Sequence, residues 1–183
     1  RNRSETLPGP MDAAVILVTG GAVRIGREIC LSLSESGYTI AIHYNSSENE
    51  ASDLADIIKS RGGKAACFSG DLLDQSMPAK LFEEIKQELG PVSGVVNNAS
   101  LFNFDDISNV TMESWNRHMH VNALSPTLLI SELSRNLPSG KVGSVVNILD
   151  QKISQPNPDY LSYTASRFAM AGLTETLPRG LAP

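Results

Sequence analysis

The sequence predicts an α/β fold, a parallel β-sheet doubly wound by helices into three α/β/α layers. Two observations carry this: short apolar runs alternate five times with helical stretches, and the first run ends directly in a glycine-rich turn. Ala14 to Thr19 is an apolar run of buried-strand length. Ile25, Ile29 and Leu33 then recur at a spacing of four, one stripe of a helix closed by Gly37. Tyr38 to Tyr44 is the second strand. Ser47 to Arg61 is the second helix, with Ala51, Leu54, Ala55 and Ile58 along one face and a capping-box spacing between Ser47 and Glu50. Lys64 to Ser69 is the third strand. Leu81, Ile85 and Leu89 mark the third helix, which Gly90-Pro91 closes.

Val92 to Val96 is the fourth strand. Met112 to Leu137 is a long fourth helix with an irregularity expected near Pro126. Ser144 to Leu149 is the fifth strand. Tyr160 to Leu177 is the fifth helix, which Pro178 and Gly180 are expected to break. Residues 1–10, RNRSETLPGP, read as a tail outside the fold, disordered or carried over from expression. Residues 11–183 read as one domain, in keeping with a chain of 183 residues that is 41% hydrophobic.

A net charge of −5 and the lack of a basic cluster argue against nucleic acid as a partner. No apolar run approaches the ~20 residues that cross a bilayer, so no membrane is expected. Cys30 and Cys67 sit in apolar segments without metal-ligand spacing and fit a reducing, cytoplasmic setting. His118 and His120 face different sides of a helix, and no metal is expected.

Thr19-Gly20-Gly21-Ala22-Val23-Arg24-Ile25-Gly26 joins the first strand to the first helix. Small residues there let the backbone turn and approach a pyrophosphate, which free N–H groups and the positive helix end then hold. The plain alternative is an ordinary strand-to-helix turn. The stretch resembles the TGxxxGxG loop of the short-chain dehydrogenase/reductase family, a Rossmann-type fold. Arg24 in place of the middle glycine makes it similar to the pteridine reductases and dihydromonapterin reductases, which read TGxxxRxG. By that resemblance Gly20, Arg24, Ile25 and Gly26 bind the cofactor, and Arg24 also lies at the substrate mouth, unless it is simply a solvated arginine.

The end of the second strand reads His43-Tyr44-Asn45-Ser46-Ser47, with no carboxylate to accept a ribose 2′-hydroxyl. A 2′-phosphate is not repelled there. The pteridine reductases carry a similar HY segment and use NADPH, although Val23 replaces the basic residue they commonly place before the arginine. NADPH (NADP+) is therefore the expected cofactor, with His43, Tyr44, Asn45 and Ser46 against it. Ser47 has a helix-cap role as its alternative. Asp71 and Leu72, after the third strand, are implied to face the adenine; Asp71 as the cap of the next helix is the other reading. Asn98, Ala99 and Ser100 match the family's NNAG stretch along the cofactor, with Ser100 for its last glycine.

Tyr163 and Arg167 stand four apart, on one helix face. Tyr163 matches the tyrosine of the family's YxxxK, and Arg167 replaces the lysine that holds the ribose and lowers the tyrosine pKa. Arginine keeps the charge but is planar and differently directed. Asp150, 13 residues earlier, stands where most members carry serine, and aspartate there is the pteridine reductase variant that assists Tyr163. A carboxylate also suits the donor-rich edge of a pterin; a cap or loop ion pair is its plain role. Asn122 matches the family's helical asparagine on the proton path, or is an ordinary polar helix residue. Phe102 matches the aromatic that stacks on the pterin, or is core. Tyr160 is expected to line the same pocket.

The resemblance runs from Met11 to Pro183. It implies an NADPH-dependent reductase of a pterin or dihydrofolate-like small molecule, a homo-dimer or homo-tetramer, that stops short of the family's last strands and lid. Two other readings stay open: a reductase of another carbonyl, such as a 3-oxoacyl thioester or a sugar, and a weakly catalytic NADPH-binding protein on account of Arg167.

Overall fold

The structure, a computed structural model, describes residues 13–181; the reading of residues 1–10 as a tail lies outside them. Five parallel strands form one sheet in the order β3-β2-β1-β4-β5: β1 (Val15–Val18), β2 (Thr39–Tyr44), β3 (Ala65–Ser69), β4 (Val92–Asn97) and β5 (Ser144–Asn147). The helices are α1 (Arg24–Glu35), α2 (Glu48–Ser60), α3 (Met77–Glu88), α4 (Met112–Met119), α5 (Ser125–Asn136) and α6 (Leu161–Leu181). This is the predicted doubly wound, three-layer arrangement.

Alternation along the strands divides the core in two. Val15, Leu17, Ala41, Phe68 and Val95 pack against Leu81 and Ile85 of α3 and Leu129 and Leu133 of α5. Their neighbours Ile16, Val18, Ile40, Ile42 and Val96 turn the other way, onto Cys30 of α1 and Ala51, Leu54 and Ile58 of α2. Strand order reverses between β1 and β4, which opens a crevice at the carboxyl ends of the strands.

Several expectations need correction. Ile25 is 60% exposed, so the buried line of α1 is Gly26 and Cys30, with Ile29 and Leu33 only partly covered. Ser47 occupies the N-cap of α2, but its side chain makes no cap bond, so the capping box does not form. The fourth helix is interrupted earlier than Pro126: a π-helical turn, His120–Leu124, separates α4 from α5, and Pro126 sits harmlessly in the first turn of α5. The last helix continues through Pro178 to Leu181. Its final turns are largely exposed, and the lost bond from Pro178 falls on the Thr174 carbonyl near the end of the helix. Cys67 is only partly buried, whereas Cys30 is fully so, and both thiols are free. No described helix is long and apolar enough to cross a membrane.

Candidate active site

The glycine loop is held from behind. Thr19 Oγ1 accepts from the backbone N–H groups of Asn98 and Ala99, both at 3.0 Å. The Asn98 side-chain amide donates to the carbonyls of Thr19 and Gly20. Gly20 has φ +59°, and a Cβ at Gly26 would lie 2.2 Å from the Gly20 carbonyl oxygen. The loop closes onto α1 only because that Cβ is absent.

His43 lies under the loop, 2% exposed. Its Nδ1 accepts from the Gly20 N–H, and its Nε2–H donates to the Gly70 carbonyl. Burial pushes its pKa down, against the bond to Gly70, so it is a neutral brace with no free nitrogen for a ligand. Tyr44 is half-buried, while Asn45 and Ser46 are exposed at the crevice rim. Leu72 is buried. Asp71 is exposed and closes a turn by accepting from the Leu73 N–H; the N-cap of α3 is Ser76 instead.

Arg24, exposed at the start of α1, has φ +52°, a left-handed conformation that costs an L-residue about 1–2 kcal/mol. The N-cap of α1, Val23, offers no side-chain acceptor, and the first turn carries no acidic residue. The amides there and the Arg24 guanidinium form an unneutralised positive end that fits a dinucleotide phosphate.

On the other side, β5 delivers Asp150 and α6 delivers Tyr163 and Arg167. Asp150 is the N-cap of a 3-10 turn (Gln151–Ile153): one carboxylate oxygen accepts from the Lys152 N–H at 2.8 Å. The other accepts from the Tyr163 hydroxyl at 2.7 Å. The Arg167 guanidinium carbon lies 5.1 Å from the centre of the Tyr163 ring, and its Nη1 reaches the Ile148 carbonyl at 3.4 Å. Arg167 is 6% exposed, and its Nε–H has no partner among the described residues.

The Lys152 amide, followed by the Tyr163 hydroxyl and the Arg167 and Lys152 charges, holds the Asp150 carboxyl below its usual range despite burial. Burial and then the bond to Asp150 raise the Tyr163 phenol, against the lowering by Arg167. The phenol therefore keeps its proton at neutral pH and points it at a carboxylate.

Asn122, fully buried in the π turn, links the two sides. It accepts from the Leu101 N–H and donates to the Leu101 carbonyl and to Ser166 Oγ on α6. Phe102 is 51% exposed, so it is not core. It stacks on Tyr160 with centroids 4.2 Å apart at 8°, and meets the Tyr163 ring edge-on at 4.6 Å. Tyr160 has φ +58° and precedes α6 rather than starting it. Sequence reasoning missed Phe104, edge-on to Tyr160 at 5.4 Å, and Lys152, whose Nζ is 5.3 Å from the Tyr160 ring centre. The alternation of Phe102 and Phe104 was the available signal. Lys152 had none, because Tyr160 lies across a loop.

Known proteins resemble this chain in sequence and fold. The profile of the family described as short chain dehydrogenase matches residues 14–183. A short-chain type dehydrogenase/reductase from Picea abies is 32% identical over 175 residues, which cover 91% of this chain and 65% of that protein. The 3-oxoacyl-[acyl-carrier-protein] reductase FabG of Staphylococcus epidermidis is 26% identical over 166 residues, covering 91% of this chain and 68% of that one. The structure of FolM alternative dihydrofolate reductase 1 from Brucella canis, complexed with NADP, superposes with a TM-score of 0.88 at 38% identity, covering 93% of this chain and 69% of that one. The chain thus spans about two thirds of the length of these relatives.

Proposed function

Because the chain belongs to the short-chain dehydrogenase family, we propose that it works as an NADPH-dependent reductase of a pterin or dihydrofolate-like heterocycle, with Tyr163 as proton donor. The bond from Tyr163 to Asp150 carries this reading.

NADP(H) is the cofactor: solved relatives 38% and 28% identical to this chain hold NADP. The residues fit it. Gly20 and Gly26 keep the loop tight, and the uncapped start of α1 offers backbone N–H groups to phosphates, with Arg24 and the Ile25 rim beside them. Asn45 and Ser46 stand at the end of β2, with no carboxylate to repel a 2′-phosphate. Asn98, Ala99 and Ser100 line the crevice, and Asp71 and Leu72 stand at the adenine end.

NADPH supplies hydride, so this chain has to supply a proton. Tyr163 holds it at neutral pH. Asp150 orients the hydroxyl, and the Arg167 guanidinium against the ring offsets the charge left when the proton departs. Asn122 ties the loop of Phe102 to the helix of Tyr163. Phe102 and Tyr160 supply flat faces beside the donor, and the acceptor-only Asp150 suits an aminopyrimidine edge. The FolM relatives favour this substrate class. The FabG relatives favour a second reading, a 3-oxoacyl thioester.

We place the activity in the cytoplasm, in keeping with two free thiols. A homo-dimer or homo-tetramer would cover the exposed Met112, Trp115, Leu124 and Phe168 on the helices. The test is NADPH oxidation with dihydrobiopterin against an acetoacetyl thioester, in the wild type and in Asp150→Ser. Turnover of the pterin that Asp150→Ser reduces about tenfold or more supports the proposal. Turnover of the thioester alone overturns it.

A further inference from the structure

The carboxylate of Asp105 is 3% exposed yet takes part in no ion pair among the described residues. A charge that deep has to be held by donors. Its Oδ1 accepts from the Ser162 N–H at 2.9 Å, and its Oδ2 accepts from the Ser114 hydroxyl. Its carbonyl accepts from the Leu161 N–H at 3.0 Å. Leu161 and Ser162 are the first two residues of α6, and Tyr163 is the third. One residue, 57 positions away, therefore takes both of the first amides that a helix leaves without internal partners. Its negative charge also meets the positive end of that helix.

The segment that carries Asp105 is anchored at every second residue. Leu101 is held by the Asn122 amide, Asn103 donates its N–H to His118 Nε2 at 3.1 Å, and Asp105 is bound as described. His118 in turn donates from Nδ1 to the Ser114 carbonyl, one turn back on α4. The residues between, Phe102 and Phe104, face the mouth, 51% and 55% exposed, and both touch Tyr160. Tyr160 holds its left-handed backbone directly before the bonded amides. A conformation of that kind persists only where its surroundings fix it. Burial raises the Asp105 carboxyl, and the bonds from Ser114 and Ser162 outweigh that, so the carboxylate is ionised.

We propose that Asp105 is a positioning residue for Tyr163: it sets the start and phase of α6, and so fixes the phenol relative to Asp150 and the aromatic mouth. This rests on the reading of Tyr163 as the proton donor. A misplacement of about 1 Å at a reacting group costs on the order of a hundredfold in rate.

The test uses the full chain with Asp105→Ala, Asp105→Asn and Ser114→Ala. It measures NADPH affinity, kcat and KM with dihydrobiopterin, and the ionisation of Tyr163 by NMR of isotope-labelled tyrosine, assigned with Tyr163→Phe. Asp105→Ala is expected to lower kcat by about tenfold to a hundredfold, keep NADPH affinity within about twofold, and displace the Tyr163 titration. Asp105→Asn keeps an acceptor for Ser162 and is expected to recover kcat to within about threefold. Ser114→Ala, a milder change that leaves Asp105 in place, is expected to move kcat and the titration in the same direction by less. A folded Asp105→Ala with unchanged kcat and titration overturns the proposal, as does a parallel loss of kcat and NADPH affinity. Should Asp105→Ala fail to fold, an unchanged Ser114→Ala overturns it. If the wild type ignores the pterin, the substrate reading falls, while the tyrosine titration still decides this one.

Discussion

Around Gly20 the chain is held through its main chain: the side chains of Thr19, Asn98 and the neutral His43 bond backbone amides and carbonyls of the loop and its neighbours. Around Tyr163 it is held by side chains, with Asp150, Arg167, Phe102 and Asn122 converging from separate segments. The sheet beneath follows the same division. Every residue of β1 is buried, whereas Val145 and Val146 of β5 are 37% and 52% exposed. A site fixed by main chain accepts unusual side chains, such as Arg24, but no extra carbon at its glycines. A site fixed by side chains reverses that tolerance.

The comparison is broken most sharply at the side-chain end. Tyr163→Phe removes the hydroxyl and leaves the ring contacts; kcat is expected to fall about 10²- to 10⁴-fold while NADPH affinity holds, read by steady-state kinetics and a binding titration. In the wild type the reduction rate should stay level through neutral pH and fall only above a pH of about 10, because the raised phenol has to be protonated to donate. A fall already near neutrality contradicts that.

Gly26→Ala attacks the backbone end. Its Cβ would meet the Gly20 carbonyl oxygen at 2.2 Å and the Asn98 amide at 2.6 Å. A loss of about 3 kcal/mol is expected, with weakened NADPH binding, measured by thermal unfolding with and without NADPH. Arg24→Gly is the smallest and has the opposite sign. It relieves the left-handed backbone and is expected to add about 1 kcal/mol, a Tm rise of a few degrees, while NADPH binds more weakly.

Periodicity was enough to read the strand and helix order, because buried parallel strands and helix stripes write themselves locally. The Tyr163, Arg167 and Asp150 group was legible from spacing together with family resemblance, and the structure brings the three together. Other features depend on partners far along the chain. His43 reads from sequence as a cofactor contact, and nothing local foretells that its two ring nitrogens bond Gly20 and Gly70. Asp105 left no local mark, because its partners lie on α4 and α6. Pro126 was the only visible irregularity in its helix, while the actual one surrounds Asn122, whose side-chain bonds reach Leu101 and Ser166.

That π turn has a geometric consequence. A wide turn of this kind carries one residue more than an α-helical path would, and each residue of an α-helix advances the azimuth by about 100°. Winding His120–Leu124 into a regular α-helical path with every residue kept would swing one flank about the axis by that angle. Either Leu129 and Leu133 would leave the sheet, or His118 and Asn122 would leave the segment they hold. The wide turn is thus the gearing that takes up the surplus residue and keeps both flanks of one continuous rod in phase with the surfaces they serve.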